Sequence, residues 1–225
     1  RNIHDKLREL DRNVALYAVG YLVNDLKDKY KEFTEVVNYL EQVQNDILEN
    51  LNQFIGEPKA QTQTQLTISK EVSFRKYEVN VVVDNSNLKG APVILELNPT
   101  YQNLFGRIEK EARFGVLTTD FTMIRGGSLH RANGGYLVLP AEESLRNIFS
   151  WDGLKRALVN EEIMIEETGE RLGFITTKGL KPEPIPLDVK VILIGNPFLY
   201  QLLFTLDLEF KELFKVKADF DITMD

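Results

Sequence analysis

Three polar residues sit where a sheet protein would use them on a phosphate. The apolar run Tyr136–Leu139 is followed by Pro140, Ala141, Glu142 and Glu143. In proteins that hydrolyse nucleoside triphosphates on a parallel sheet, such a strand ends in an acidic pair. One carboxylate holds magnesium and the other orients the attacking water. Here both carboxylates come one or two residues late. A proline that cannot ligate metal and an alanine that cannot orient water stand first. The simpler reading is a strand running into a helix, with Pro140 at the first helical position and Glu142 and Glu143 favouring the helix dipole. Asn196 is the third residue. It follows VKVILIG (Val189–Gly195) at the carboxyl end of a strand, where α/β proteins bind ligands. It fits a sensor that hydrogen-bonds a γ-phosphate or a water. More simply, it fits the cap of a helix that Pro197 begins.

Other chemistries are excluded. The phosphate-cradling pattern GxxxxGK[ST] occurs nowhere in the 225 residues. There is no cysteine, so thiol nucleophiles, disulfides and Cys-based metal sites are ruled out. The only histidines, His4 and His130, are far apart in sequence, and no metal site is expected. His130, in SLHRANGG, is expected to meet the last carbonyls of a short helix that ends at Gly134 and Gly135. No serine lies in GxSxG, and no catalytic residue is assigned. With a net charge of −7, nucleic acid is not expected as a main partner. No apolar run reaches the roughly 18 residues of a membrane span, and no membrane partner is expected. The lack of cysteine fits a reducing compartment, and a cytoplasmic location is expected.

Residues 1–55 read as helical. One stripe runs Ile3, Leu7, Leu10, Val14, Tyr17, Tyr21 and a second runs Val36, Leu40, Val43, Ile47, Leu51, Phe54. The turn falls within DLKDKYKEFTE, with Thr34 as N-cap. The two stripes suit an antiparallel pair of helices, or a partner surface. Residues 56–76 are polar and read as a linker, so that residues 77–225 form a second domain. In that domain Tyr77–Val83, Gly135–Leu139 and Val189–Gly195 are expected as buried strands. Phe214–Ile222 is expected as an edge strand, and Glu162–Thr177 as a hairpin turning near Gly169. Helices are expected at Trp151–Val159 and at Pro197–Phe214, the latter broken near Asp207. Val/Ile/Leu runs separated by helices predict a parallel sheet covered on both faces. The sequence starts inside a helical pattern without an initiator methionine and reads as a piece of a longer protein.

The strings NPTYQNLFGRIE, GGSLHRANGGYLVL, WDGLKRAL, PEPIPLDVKVILIGN and LFKVKADFD occur in this order. Together they resemble the AAA+-like module of Lon-type proteases, peptidase family S16, with the archaeal B type and its bacterial Lon-like relatives the nearer match. LRELDRNVALYAVGYLV through YLEQVQNDILENL is similar to a helical insertion of those bacterial relatives. The resemblance implies an α/β fold: a P-loop-NTPase-like (AAA+) parallel sheet lacking its P-loop segment, preceded by a long helical hairpin. It further implies a homo-oligomeric, usually hexameric, ring that passes unfolded protein to a Ser–Lys protease domain outside this chain. ATP and magnesium then belong to the parent protein, and no cofactor to this chain. On this resemblance the strand ending at Leu139 matches the magnesium-binding strand, with Pro140 and Ala141 at its acidic positions. Asn196 matches the sensor, and Lys215 falls near the arginine finger. The stretch Phe105–Arg125 matches the pore loop, with Phe114 either the candidate aromatic that grips substrate or an ordinary core phenylalanine. Three readings follow: a scaffold and gate without hydrolytic activity, an ATP motor with Glu142 or Glu143 standing in for the lost acid, and a non-enzymatic helical binding or oligomerisation module.

Overall fold

The computed structural model describes residues 2–54, 74–113, 115–166 and 180–220. The chain divides into two compact units, Arg1–Glu78 and Val79–Asp225. Among the described residues no helix is long and apolar enough to cross a membrane.

The first unit is a helical hairpin. Helix α1 (Asn2–Lys29) and helix α2 (Thr34–Glu49) are joined by a turn at 30–33, and a short α3 (Leu51–Phe54) follows. Thr34 is the first helical residue rather than the cap. Phe33 takes the cap position and offers no side-chain hydrogen bond. Gly20 lies against Gln44 of α2, and Lys27 Nζ donates to Glu41 Oε1 (3.4 Å) and Gln44 Oε1 (3.3 Å). Val23 and Leu48 are the most buried apolar residues here. The expected stripe on α1 is not the packed face: Leu10, Val14, Tyr17 and Tyr21 are all exposed. The end of the expected linker folds back onto the hairpin as a single 3-10 turn, Phe74–Tyr77. There the Tyr77 hydroxyl donates to Asp46 Oδ2 (2.5 Å) and Lys76 pairs with the same carboxylate. The Phe74 ring lies 5.3 Å from that of Phe54. Lys76, then Tyr77, hold the Asp46 carboxyl below its usual range. Residues 56–73 lie outside the described residues.

The second unit is built on three parallel strands, β1 (Val93–Leu95), β6 (Gly135–Pro140) and β9 (Val189–Ile194), in the order β1-β6-β9. Between β1 and β6 run α4 (Tyr101–Phe105), the short strands β2 (Arg107–Ile108) and β5 (Ile124–Arg125), the hairpin β3 (Glu111–Arg113) and β4 (Val116–Thr118), and α5 (Ser128–Ala132). Helices α6 (Ala141–Arg146) and α7 (Ile148–Asn160) follow β6. Then come β7 (Glu162–Ile163) and β8 (Ile185–Pro186), and after β9, α8 (Pro197–Leu206) and α9 (Leu208–Leu213). Asp207 breaks the last two helices apart, capping α9 with its carboxylate on Phe210 N (3.2 Å).

The core explains the order. Leu104 and Phe105 of α4, Leu129 of α5, Leu137 and Leu139 of β6, Trp151 and Leu154 of α7, and Leu203 of α8 are buried together, with Ile94, Val191 and Leu193 packed against them. These strand residues share one face of the pleat. The other face is not covered as the sequence suggests. Val93, Leu95, Tyr136, Ile192 and Ile194 are exposed on it, and registers Val93↔Tyr136, Val138↔Ile192 and Pro140↔Ile194 line them up. The reason is topological. Successive parallel strands stepping the same way, joined by right-handed crossovers, lay all their helices on one side.

Three more expectations are corrected. Tyr77–Val83 is no strand. Val79 is 75% exposed, and the side chain of Asn80 replaces ladder bonds by donating to Phe121 O (2.9 Å) and Ile124 O (3.1 Å). The strand that fills the place is Val93–Leu95, a three-residue run fenced by Pro92 and Pro99. At 162–177, β7 finds its antiparallel partner in Ile185–Pro186, while the expected turn at Gly169 lies outside the described residues. Residues 214–220 join no ladder. The Phe214 ring stacks on Trp151 (6.0 Å), which takes this segment onto the helices instead of the sheet edge.

Candidate functional site

The carboxyl ends of β6 and β9 stand side by side, with Pro140 registered against Ile194. Pro140 closes its strand and serves as N-cap, so α6 starts one residue later than expected, at Ala141. The Pro140 carbonyl is used: it accepts from Ser144 Oγ at 2.8 Å. Ala141 is 4% exposed. A Cβ on Gly195 would lie only 3.0 Å from the Ala141 methyl, so the two strand ends are in close apolar contact at this point.

One turn out, the polar residues meet. Asn196 Nδ2 donates to Glu142 Oε1 at 2.8 Å, and Asn196 Oδ1 accepts from Leu199 N at 2.8 Å. Asn196 thus caps α8, with Pro197 at the first position, and at the same time holds the Glu142 carboxylate across the strand ends. Glu143 points elsewhere, pairing with Arg146 at 2.8 Å on the surface of α6. Lys215 lies on the exposed segment after α9, one residue past the stacked Phe214. Phe114 lies outside the described residues. Its flanks form the β3–β4 hairpin, with Val116 and Leu117 exposed. That hairpin stands on a charged base: Glu109 pairs with Arg107 (2.8 Å) and Arg125 (2.9 Å), which hold its carboxyl below the usual range.

The site does not fit a magnesium–nucleotide centre of the usual kind. The two positions that would carry acids present a proline ring and a buried methyl. Among the described residues no group of three or more His, Cys, Asp or Glu could hold a metal ion. What the edge offers is a single exposed carboxylate, oriented by one amide.

Two residues of SLHRANGG do more than spacing suggests. His130 is 5% exposed, and its Nδ1 accepts from Gly127 N at 3.2 Å. It therefore serves the start of α5 rather than the last carbonyls, and burial pushes its pKa down to about 4. Asn133 joins α5 to the approach of β9: Nδ2 donates to Pro186 O (2.9 Å) and Oδ1 accepts from Asp188 N (2.8 Å). Gly135 follows because β6 enters so close to Pro92 that a Cβ would lie 2.1 Å from its carbonyl oxygen. Nothing in the sequence pattern points to Asn133, since its partners lie more than fifty residues away.

On α7, Lys155 is nearly buried between Asp207 (3.0 Å) and Glu209 (2.7 Å), while Trp151 Nε1 donates to Asp207 Oδ2 (2.9 Å). This cluster fixes α7 to α8 and α9, and with them the frame from which Asn196 reaches.

A family model described as LonB-like, AAA domain, matches residues 89–221, more than half of the chain. The chain belongs to the LonB-like AAA domain family. No curated protein matches it. The match begins just before β1 of this LonB-like AAA domain and takes in β6, β9 and both strand-end residues Glu142 and Asn196. The helical hairpin lies outside it.

Proposed function

We propose that this LonB-like AAA domain is the ring-forming, substrate-handling module of a Lon-like serine protease and does not itself hydrolyse nucleotide. The observation that carries the reading is the end of β6, where Pro140 and buried Ala141 replace the acids that catalysis on a AAA+ sheet requires. In this reading Asn196 keeps the sensor position and the β3–β4 hairpin serves as pore loop while the metal-binding chemistry is lost, which suits a scaffold and gate. In this reading the parent is a cytoplasmic homo-oligomer, hexameric in keeping with the resemblance. Its exposed β3–β4 hairpin contacts unfolded protein, Phe114 is the aromatic that grips it, and the Ser–Lys dyad lies in another domain. The test uses the full-length protein carrying this chain and a fluorescently labelled unfolded polypeptide. Degradation at the same rate with and without ATP and magnesium is expected. A strict nucleotide requirement overturns the scaffold reading, and no degradation at all overturns the protease.

A second reading has one observation in its favour. Glu142 is held by Asn196 at the strand ends, as a stand-in for the missing acid would be. If the parent is an ATPase through this residue, with Lys215 in place of an arginine finger, Glu142→Gln lowers its turnover by about a hundredfold or more, the usual scale of an acid–base contribution. Equal turnover in Glu142→Gln and wild type removes this reading.

A further inference from the structure

Strand β4 is a sheet edge without the usual protection. Edges of soluble proteins carry charges, prolines or bulges that keep other chains from pairing with them. The stretch GVLTT (Gly115–Thr119) has neither charge nor proline, and the register of β4 with β3 runs without a bulge. The two strands form a sheet of their own, and among the described residues β4 pairs with nothing but β3. All three residues of β4 are exposed, Val116 by 63% and Leu117 by 67%. Neighbours along a strand point to opposite faces, so both faces of the hairpin are open at β4.

Register decides which backbone groups are free. Arg113 pairs with Val116 and leaves two residues to turn the chain. Gly115 supplies a φ of 79°, with nothing within 4 Å of where its Cβ would be. The pair that closes a two-residue turn exchanges both of its backbone bonds, and the pairs beyond it alternate. Val116 and Thr118 therefore bond inward to β3, and Leu117 directs its N–H and C=O away from it. Among the described residues no backbone bond outside the ladders takes up the Leu117 N–H. The edge is also held in place. Thr119 Oγ1 donates to Glu109 O at 2.8 Å, Thr118 Oγ1 to Glu111 O at 3.3 Å, and Glu109 N to Met123 O at 3.0 Å. These bonds tie the hairpin to the β2–β5 ladder before anything binds, which lowers the ordering cost of pairing.

We propose that β4 takes an extended segment of unfolded polypeptide as a third strand, the Leu117 N–H and C=O bonding its backbone and Val116 and Leu117 covering its side chains on the two faces. The proposal rests on the substrate-handling reading above and states how the hairpin holds its substrate. The outward donor and acceptor of Leu117 name the occupant, because an extended chain offers the matching pair at strand spacing. A second copy of β4 fits less well. Three residues span only about 10 Å of strand, and pairing two such edges buries far less than the roughly 1,000 Å² of a stable interface. A contact of that size suits a chain that is held and then passed on. Backbone pairing ignores side-chain identity except at proline, which has no N–H. The substrate class is therefore proline-poor extended polypeptide with aliphatic residues beside the paired one.

Fluorescence anisotropy with the 225-residue chain tests it. The probe is a short fluorescein-labelled peptide of alternating valine and threonine between glutamates, so that the acidic chain does not attract it by charge. Binding below about 1 mM is expected. N-methylation of every peptide nitrogen should weaken it at least about tenfold, the scale of one or two hydrogen bonds. N-methylation of alternate residues should leave it within about threefold, since the peptide keeps one edge. Leu117→Pro should weaken binding at least about tenfold, whereas Leu117→Ala, which keeps both backbone groups, should stay within about threefold. The methylated peptides act on the wild-type chain, so the test stands even where Leu117→Pro loses its hairpin. No binding of the unmodified peptide at about 1 mM overturns the proposal. So does equal binding of the fully methylated peptide, or a loss in Leu117→Ala as large as in Leu117→Pro; either result puts the grip on side chains and leaves the substrate-handling reading intact. A doubled mass in sedimentation velocity that Leu117→Pro abolishes assigns the edge to a second copy and overturns it as well. The expected binding pattern together with a failed degradation test removes the protease and leaves strand addition standing.

Discussion

Acid should unfold the AAA unit through His130. Its Nδ1 accepts from Gly127 N, so the ring is neutral with its proton on Nε2, and Nε2 is buried with no partner among the described residues. Burial lowers the pKa from 6.5 to about 4. The unfolded chain therefore takes up a proton near pH 6.5 that the folded chain refuses until about pH 4. Stability is fully present above pH 6.5 and is lost progressively as pH falls toward 4. At about 1.4 kcal/mol per pKa unit, the full loss is about 3 kcal/mol, with about 2 kcal/mol gone by pH 5. That is a large part of the stability of an ordinary domain. The single tryptophan, Trp151, is buried in the same unit and reports its unfolding. Urea titrations at pH 7, 6 and 5 give the free energy for wild type and for His130→Asn. The asparagine keeps an acceptor near the Nδ1 position and cannot titrate, and carboxylates that titrate in the same window cancel in the difference. Wild type should lose about 2 kcal/mol more than the variant between pH 7 and pH 5. A difference between the two that stays flat across this range would refute the reasoning.

Asp207→Ala removes at once one of the two carboxylate partners of the nearly buried Lys155, the acceptor of the Trp151 indole and the cap of α9, while Glu209 stays on Lys155, and should cost about 2–3 kcal/mol in urea unfolding. Gly135→Ala drives a methyl into the Pro92 carbonyl and should push β1 off β6, lowering the thermal midpoint by roughly 10 °C or more at about 4 °C per kcal/mol. Asn196→Ala deletes a helix cap and frees Glu142; it should cost about 1 kcal/mol, the usual worth of a cap, without loss of fold by circular dichroism.

The central strands are legible because they are continuous apolar runs closed by recognisable residues: Gly134 before β6 and Gly135 at its start, and Asn196 and Pro197 after β9. Asn196 can be read as a cap because a cap is local. What it holds cannot be read, because Glu142 is fifty-four residues away and reaches Asn196 only through the register of two strands. The misread segments share this origin. YEVNVVV has the composition of a strand, but a strand needs an edge to pair with, and Val93–Leu95 takes the edge of β6 despite being shorter. The stripe on α1 has helix periodicity and suggests packing, yet periodicity does not say which of two apolar faces meets α2. FKVKADF alternates well, but Phe214 is drawn to the ring plane of Trp151.

The open face of the sheet also bears on how the molecule responds to heat and denaturant. Val93, Leu95, Tyr136, Ile192 and Ile194 are already hydrated in the folded chain. Unfolding therefore adds little apolar area from them to the heat-capacity increment or to the denaturant slope, both of which scale with newly exposed surface. The isolated chain should show a flatter stability curve and a shallower urea transition than its length implies. Any neighbour that covers this face steepens both, so calorimetry registers the covering whatever the neighbour is.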